Sequence, residues 1–264
     1  MTDPTPIEPT HPPGLIDAIR ARTPARIFVD RSGSAYRTGT QLALRADHAA
    51  ARDAVWAEVD LQRDLGADLV QRYGLFEVST RATSKEDFLL RPDLGRQLDD
   101  GARELLRQRC SAGVDLQVFI GDGLSAAAVA AQVPALLPAL LERAGESDWT
   151  VGQPFLVHHC RVGVLNDVGD LLAPVVAVLL IGERPGLATA ESLSAYMAYR
   201  PRSRDTDARR NLISNIHARG VGIDEAARRI LALAQRMRDA NDSGVRVKEE
   251  LPAPGVPSLT GGQA

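Results

Sequence analysis

The sequence predicts an α/β protein: an open, mainly parallel, Rossmann-like sheet with helices on both faces, preceded by a mostly helical N-terminal region. Three observations carry this. Val175 to Ile181 is an unbroken apolar run, rich in β-branched residues and closed by Gly182, which reads as a strand buried on both faces. From Val114 onward the pattern runs strand, glycine loop, helix, the alternation expected of parallel sheets. Between Gln41 and about Ala112, alanine-rich segments with helix-start residues dominate instead.

In chain order, residues 1–14 hold five prolines among polar residues, too little apolar surface to offset ordering entropy, and are expected to form a flexible tail. The helical region follows as 15–112. Gln41 to Val59 and Leu61 to Tyr73 read as antiparallel helical neighbours, with Thr40 and Asp60 before them. A short strand fits between Leu75 and Arg81, and Arg91 to Gly95 turns the chain into a helix reaching about Ala112, stopped by Gly113.

The α/β region is expected over 113–242. Its first strand is Val114 to Ile120, its first loop Gly121-Asp122-Gly123, and its first helix Leu124 to Gln132. A separate helix covers Pro134 to Ala144, and Phe155 to His158 gives a second strand. Arg161 to Leu172 leads to the third, at Val175 to Ile181. The last helix, Asp224 to Asp239 with Asp224 as N-cap, carries Ala227, Ile230, Leu231, Ala234 and Met237 on one stripe and Arg228, Arg229, Arg236 and Arg238 on the wet side. Residues 243–264, with Pro252, Pro254, Pro257 and a Gly-Gly pair, read as a second flexible tail.

Composition excludes several classes. With 31 basic against 34 acidic residues the net charge is −3, interspersed in sign, so no nucleic-acid footprint is expected. Cys110 and Cys160 are the only cysteines and have no metal-finger spacing. No leader and no apolar run long enough to span a bilayer is visible, so a cytoplasmic protein without a membrane is expected.

Three glycine-containing loops, Gly121 to Ser125, His159 to Gly163 and Gly182 to Gly186, should open at one carboxyl edge of the sheet, where open α/β sheets place ligands. Glu183 and Arg184 sit in the last, as an ion pair or as ligand groups. Gly121 to Ala126 loosely fits the dinucleotide pattern GxGxxA, but the acidic residue that should end a second strand is missing, since Glu142 lies in a helical stretch. No P-loop occurs. His158-His159-Cys160 suggests a metal or nucleophile, yet neighbours in a strand point to opposite faces, so packing or hydrogen bonding is the expected role. His48, within a helix, is read as structural.

Several ordered motifs, namely Thr23 to Ile27 (TPARI), His48 to Val55 (HAAARDAV), Pro92 to Arg96 (PDLGR), Val118 to Val129 (VFIGDGLSAAAV), Ile181 to Tyr196 (IGERPGLATAESLSAY) and Ile213 to His217 (ISNIH), together resemble the small, or light, subunit of ethanolamine ammonia-lyase. The resemblance spans about Thr23 to Met237. It implies an adenosylcobalamin-dependent radical lyase that converts ethanolamine to acetaldehyde and ammonia, with the substrate site in a separate large subunit and a mixed oligomer of the two chains. Family cobalamin contacts carry over to Val162 and Glu183. A third, a cysteine in the family, falls on Leu212, which implies a contact by backbone or apolar packing.

The chain lacks the Asp-x-His-x-x-Gly signature of cobalamin carriers that place a histidine on cobalt, so base-on binding is expected. No catalytic residue and no metal ligand is assigned to this chain. Family members often reside in a protein-shelled bacterial microcompartment, but residues 1–14 show little of the amphipathic periodicity of a targeting tail. The expected partner face is Leu136, Leu137, Leu140 and Leu141, or the helix near Val55 and Trp56, unless these are core. Two readings compete with the lyase subunit: a Rossmann-like dinucleotide-dependent oxidoreductase and a non-catalytic corrinoid-binding protein.

Overall fold

A computed structural model describes residues 13–23, 25, 27–186 and 189–249; the expected tails 1–14 and 243–264 lie mostly outside the described residues. The chain enters through α1 (Pro13–Arg20), a small hairpin of β1 (Arg31–Ser32) and β2 (Ala35–Tyr36), and α2 (Thr38–Trp56). α3 (Leu61–Leu65) and α4 (Ala67–Tyr73) follow where one helix was expected. Gly66, at φ 86°, breaks them apart. Asp60 caps α3 by accepting from Arg63 N at 2.7 Å. Then come β3 (Glu77–Ser79), α5 (Lys85–Leu90) and α6 (Asp100–Arg109), the last capped by Asp99.

The second half contributes β4 (Leu116–Gly121), α7 (Ala126–Glu146), β5 (Leu156–His158), α8 (Val164–Leu172), β6 (Val176–Gly182), β7 (Leu193–Tyr199), β8 (Asn211–Ile216) and α9 (Ile223–Ala240). One sheet of six strands has the order β3-β5-β4-β6-β7-β8. The first four are mutually parallel; β7 pairs antiparallel with β6, and β8 antiparallel with β7. The molecule is therefore α/β with a mixed sheet. The parallel half alone was expected, and the added hairpin extends it on the far side of β6.

Each face of that sheet has its own apolar layer. On one, α7 and α9 cover Leu116, Val118, Ile120, Val176, Val178, Leu180 and the inward residues of β7. On the other, α6 and α8 cover Phe119, Ala177, Leu179 and Ile181, with Phe119 stacked on Phe155 at 5.2 Å. All seven residues of β6 are buried, which is why its sequence carries no polar side chain.

Helix α7 corrects an expected break. Pro134 and Pro138 lie inside one continuous helix of 21 residues. Each removes a backbone donor, but Val133, Leu136, Leu137 and Leu140 are fully buried between the sheet, α3 and α9, and that packing holds the helix together. These leucines are core, so they leave the list of partner-facing residues. Trp56, 52% exposed, stays on it. α2 does not form the expected packed pair with α3; among its described residues only Ala54 is buried, and His48 is exposed.

At the other end α9 is capped two residues before its expected cap. Gly222 is the N-cap, and Asp224 stands in the first turn, where the helix dipole favours a carboxylate. Its apolar stripe is buried as expected. Arg229 is not on the wet side: it is held by Glu249 and Glu225. Packing also runs past the expected start of the second tail, because Ser243 bonds Arg209 O and Tyr199 N, and Val247 joins the core. No helix among the described residues is long and apolar enough to cross a membrane.

Leu136→Ala removes a fully buried side chain from the α7 layer and should cost about 2–5 kcal/mol, whereas Leu42→Ala, at an exposed site of α2, should stay within about 0.5 kcal/mol. Urea unfolding midpoints of the two variants check this; equal midpoints would contradict the layer assignment.

Candidate functional site at the carboxyl edge of the sheet

The three expected loops do converge. Gly123 and Leu124 after β4, Arg161 and Val162 after β5, and Gly182, Glu183 and Arg184 after β6 line one cavity of about 350 Å³, closed on its far side by Tyr196 of β7 and by Leu212 and Ser214 of β8. Val162, Glu183 and Leu212, which stand far apart in sequence, thus share one cavity. Leu212 lies 44% exposed there, an apolar side chain facing the opening.

The sheet makes this edge through glycine. A Cβ on Gly182 would meet the backbone of Ser125, and one on Gly123, at φ 58°, would come within 2.5 Å of Gly182 O. The loops after β4 and β6 are thereby pressed together, and Leu124 N donates to Gly182 O at 3.2 Å.

Glu183 is tied down from three sides. Its carboxylate accepts from Ser192 Oγ at 2.9 Å, from Ser194 Oγ, and from Asn215 N at 3.0 Å. One side chain therefore joins the end of β6 to β7 and β8. Of the two readings of this pair, the ion pair with Arg184 does not form; Arg184 is exposed, and its charge acts on Arg161. Most of the acceptor capacity that was expected to face a ligand is spent within the protein, and Glu183 is first a positioning residue.

The Gly121-Asp122-Gly123 loop is not shaped to cradle a pyrophosphate. Asp122 is fully buried and accepts from His159 N at 2.8 Å and Cys160 N at 2.9 Å, locking this loop to the one after β5. Asp122 N and Leu124 N are spent on Val157 O and Gly182 O. The start of α7 is capped by Ser125 Oγ, which accepts from Ala128 N at 3.1 Å. The amides and helix start that dinucleotide binding needs are already occupied.

The histidines and cysteine fall into structural roles. His158 faces Glu77 at 3.3 Å, while His159 bonds Ala82 O at 3.0 Å and Glu58 at 3.3 Å. Among the described residues no group of His, Cys, Asp and Glu could hold a metal ion. Burial pushes the Cys160 thiol well up and the Cys110 thiol up to about 11.

Sequence reasoning missed Arg161 and Tyr196 as residues of this cavity, and Arg210 as one of the adjoining cavity. Arg161 lies over the Phe88 ring at 4.1 Å and donates to Phe88 O at 2.7 Å. Tyr196 is half-buried, and burial followed by the nearby Glu183 raises its phenol above the usual range. The apolar run of β6 announced the edge, but no local pattern announces which arginines of a charge-mixed chain meet there.

Two outcomes follow from this geometry. Glu183→Ala should lower unfolding free energy by about 1.5–3 kcal/mol, the worth of hydrogen bonds to a charged acceptor, and loosen β8, read as faster amide exchange at Asn215; an unchanged exchange rate would refute the clamp. At pH 8 the native chain should take up essentially no thiol reagent over minutes, since both thiols stay protonated below their raised pKa values, and two equivalents after denaturation.

Comparison with known proteins gives the family. Residues 14–248 match the family described as ethanolamine ammonia-lyase light chain (EutC). Similar proteins named ethanolamine ammonia-lyase small subunit occur in Fusobacterium nucleatum subsp. nucleatum, 42% identical over 229 residues covering 87% of this chain and 76% of that one, and in Clostridium perfringens, 39% identical with the same coverage. A third, from Clostridium acetobutylicum, is 36% identical over 88% of this chain and 94% of its own length. A match of this extent, from residue 14 to residue 248 and so across the whole sheet with its edge loops, means that the chain belongs to the ethanolamine ammonia-lyase light-chain family.

Proposed function

We propose that this chain is the cofactor-holding small subunit of an adenosylcobalamin-dependent ethanolamine ammonia-lyase, working against a large subunit that carries the substrate site. The observation that supports it best is the meeting of Val162, Glu183 and Leu212 in one cavity at the carboxyl edge of the sheet.

The residues present suit such a group. The cavity is open rather than enclosed, and it continues into a second of about 480 Å³ through Arg161, Val162, Tyr196 and Leu212. A corrin ring is broad, apolar over its faces and fringed with amides. Val162 and Leu212 offer apolar contact for such a face, while Ser214, the Tyr196 hydroxyl and the Arg161 guanidinium offer polar partners for the fringe. Glu183 holds the loops in register and keeps unused lone pairs on its carboxylate for an amide donor.

When bound, the cofactor supplies the radical that begins the conversion of ethanolamine to acetaldehyde and ammonia. This chain's part is to bind, orient and exclude water. We read the binding as base-on: among the described residues no histidine lines the cavity, and His217 is held by Asn215 Oδ1 at 2.8 Å and by Arg219 N at 3.2 Å. Within the sheet, the β4-α7-β5 segment is the part to which the Rossmann-like description applies.

The test is an acetaldehyde assay on this chain, the large subunit from the same organism, adenosylcobalamin and ethanolamine, with each component omitted in turn. Product is expected only from the complete mixture. Leu212→Asp, at a half-exposed position that burial would turn costly, should weaken cofactor binding to the complex by about tenfold or more with the fold intact. Product formed without this chain would overturn the reading, and tight cobalamin binding by this chain alone without any turnover in the mixture would favour a corrinoid-binding protein.

A further inference from the structure

The cavity around Glu183 is one end of a longer trough. It shares Arg161, Val162, Tyr196 and Leu212 with the second cavity, and that one shares Arg96, Gly163, Asp207 and Arg210 with a third of about 880 Å³. The two ends differ in chemistry. Around Leu212 the walls are largely apolar, and in the middle they are cationic.

Three guanidinium groups define that middle. Arg96 lies across Gly163, its Cγ 2.7 Å from where a Cβ would stand, and among the described residues its side chain has no hydrogen-bond or ion-pair partner. Arg161 donates to Phe88 O, but its Nε is buried without an acceptor. Arg210 is the more telling. Its side chain is only 7% exposed, Asp207 and Asn166 Oδ1 take two of its donors, and its Nε is also buried without an acceptor. Buried donors are almost always satisfied, so two orphans on one wall ask for a missing acceptor.

Charge points the same way. Among the described residues Asp207 is the one carboxylate that forms an ion pair with any of the three, and it is 75% exposed. The other acids of the trough are engaged elsewhere: Asp167 is held by Arg103 and Leu98 N, Asp205 accepts from Arg202 N, and Glu183 is bonded to Ser192, Ser194 and Asn215. Burial, then Arg184, then Arg96 press the Arg161 guanidinium toward losing its proton, and the buried Asp122 carboxylate offsets them only in part.

We infer that the middle of the trough, between Arg96, Arg161 and Arg210, is an anion subsite that takes a phosphate-ester group. Planar guanidinium forks match phosphate oxygens, and a tetrahedral anion offers acceptors to three of them at once. The subsite itself stands on the arginines. Its assignment to the phosphodiester of the cobalamin nucleotide loop rests on the function proposed above; a free phosphate is the other source of the same chemistry.

Equilibrium dialysis against the complex of the full chain and the large subunit separates the two sources, using adenosylcobalamin and using cobinamide, which keeps the corrin and lacks the nucleotide phosphodiester. Phosphorus NMR line broadening by the full chain reads inorganic phosphate directly. Arg161→Gln and Arg96→Gln are each expected to weaken cobalamin about tenfold, the worth of one charged hydrogen bond, while cobinamide moves less than twofold. Arg96 is exposed, so its variant keeps the readout if Arg161→Gln disturbs packing. Unchanged cobalamin binding with phosphate broadening lost in the variants would assign the subsite to free phosphate. Equal loss for both corrinoids, or no effect on either and no phosphate broadening, overturns the subsite while leaving the cobalamin reading standing. If the wild-type complex binds no corrinoid, the proposed function fails, and the phosphate titration alone decides the subsite.

Discussion

A strand with no polar side chain has to be bonded along both edges and covered on both faces, and β6 imposes that requirement on everything around it. Its backbone is satisfied by β4 in parallel on one side and β7 antiparallel on the other. Its alternate side chains call for two apolar layers, which α7 with α9 and α6 with α8 provide. Even the two prolines of α7 are tolerated because the helix is clamped between this sheet and the elements outside it. The loop at the end of β6 is therefore anchored to the most rigid part of the molecule.

That anchoring is what turns a sheet edge into a site. Gly182 has no room for a side chain, so the loops after β4 and β6 touch. Asp122 then binds the loop after β5 through two backbone amides, and Glu183 gathers β7 and β8. Two carboxylates thus fix five segments of chain without facing the ligand as their main task. What they leave open is an apolar patch at Val162 and Leu212 beside three arginines, two of which, Arg161 and Arg210, keep a buried Nε without an acceptor. A division of labour in which one chain holds a cofactor and another performs the chemistry is consistent with a site rich in binding groups and poor in acid-base pairs.

Parts of this were legible in the residues and parts were not. β4, β5, β6 and α9 could be read because burial on both faces or on one stripe leaves a periodic trace. β7 was missed because Leu-Ser-Ala-Tyr-Met-Ala-Tyr lacks β-branched residues and its strand character comes from pairing with β6. β8 was missed because as an edge strand it exposes Leu212, Ser214 and Asn215 and has no clean alternation. The breaks that proline suggests in α7 and the continuity expected across Gly66 were both decided by tertiary context, in opposite directions. The three loops were placed at one edge from strand order alone. Glu183 was visible as a charge in the loop after β6, Val162 and Leu212 came from family likeness, and the meeting of Arg96, Arg161 and Arg210 has no local signature, since a chain with charges of both signs throughout gives no hint of which ones converge.

The most direct measurement of the central idea, that this edge is the cofactor surface, is hydrogen exchange on the two-chain complex with and without adenosylcobalamin. Slowed exchange confined to residues 159–163, 182–186 and 211–215 is the predicted result. Protection that appears instead along α2, or nowhere in this chain, would contradict it.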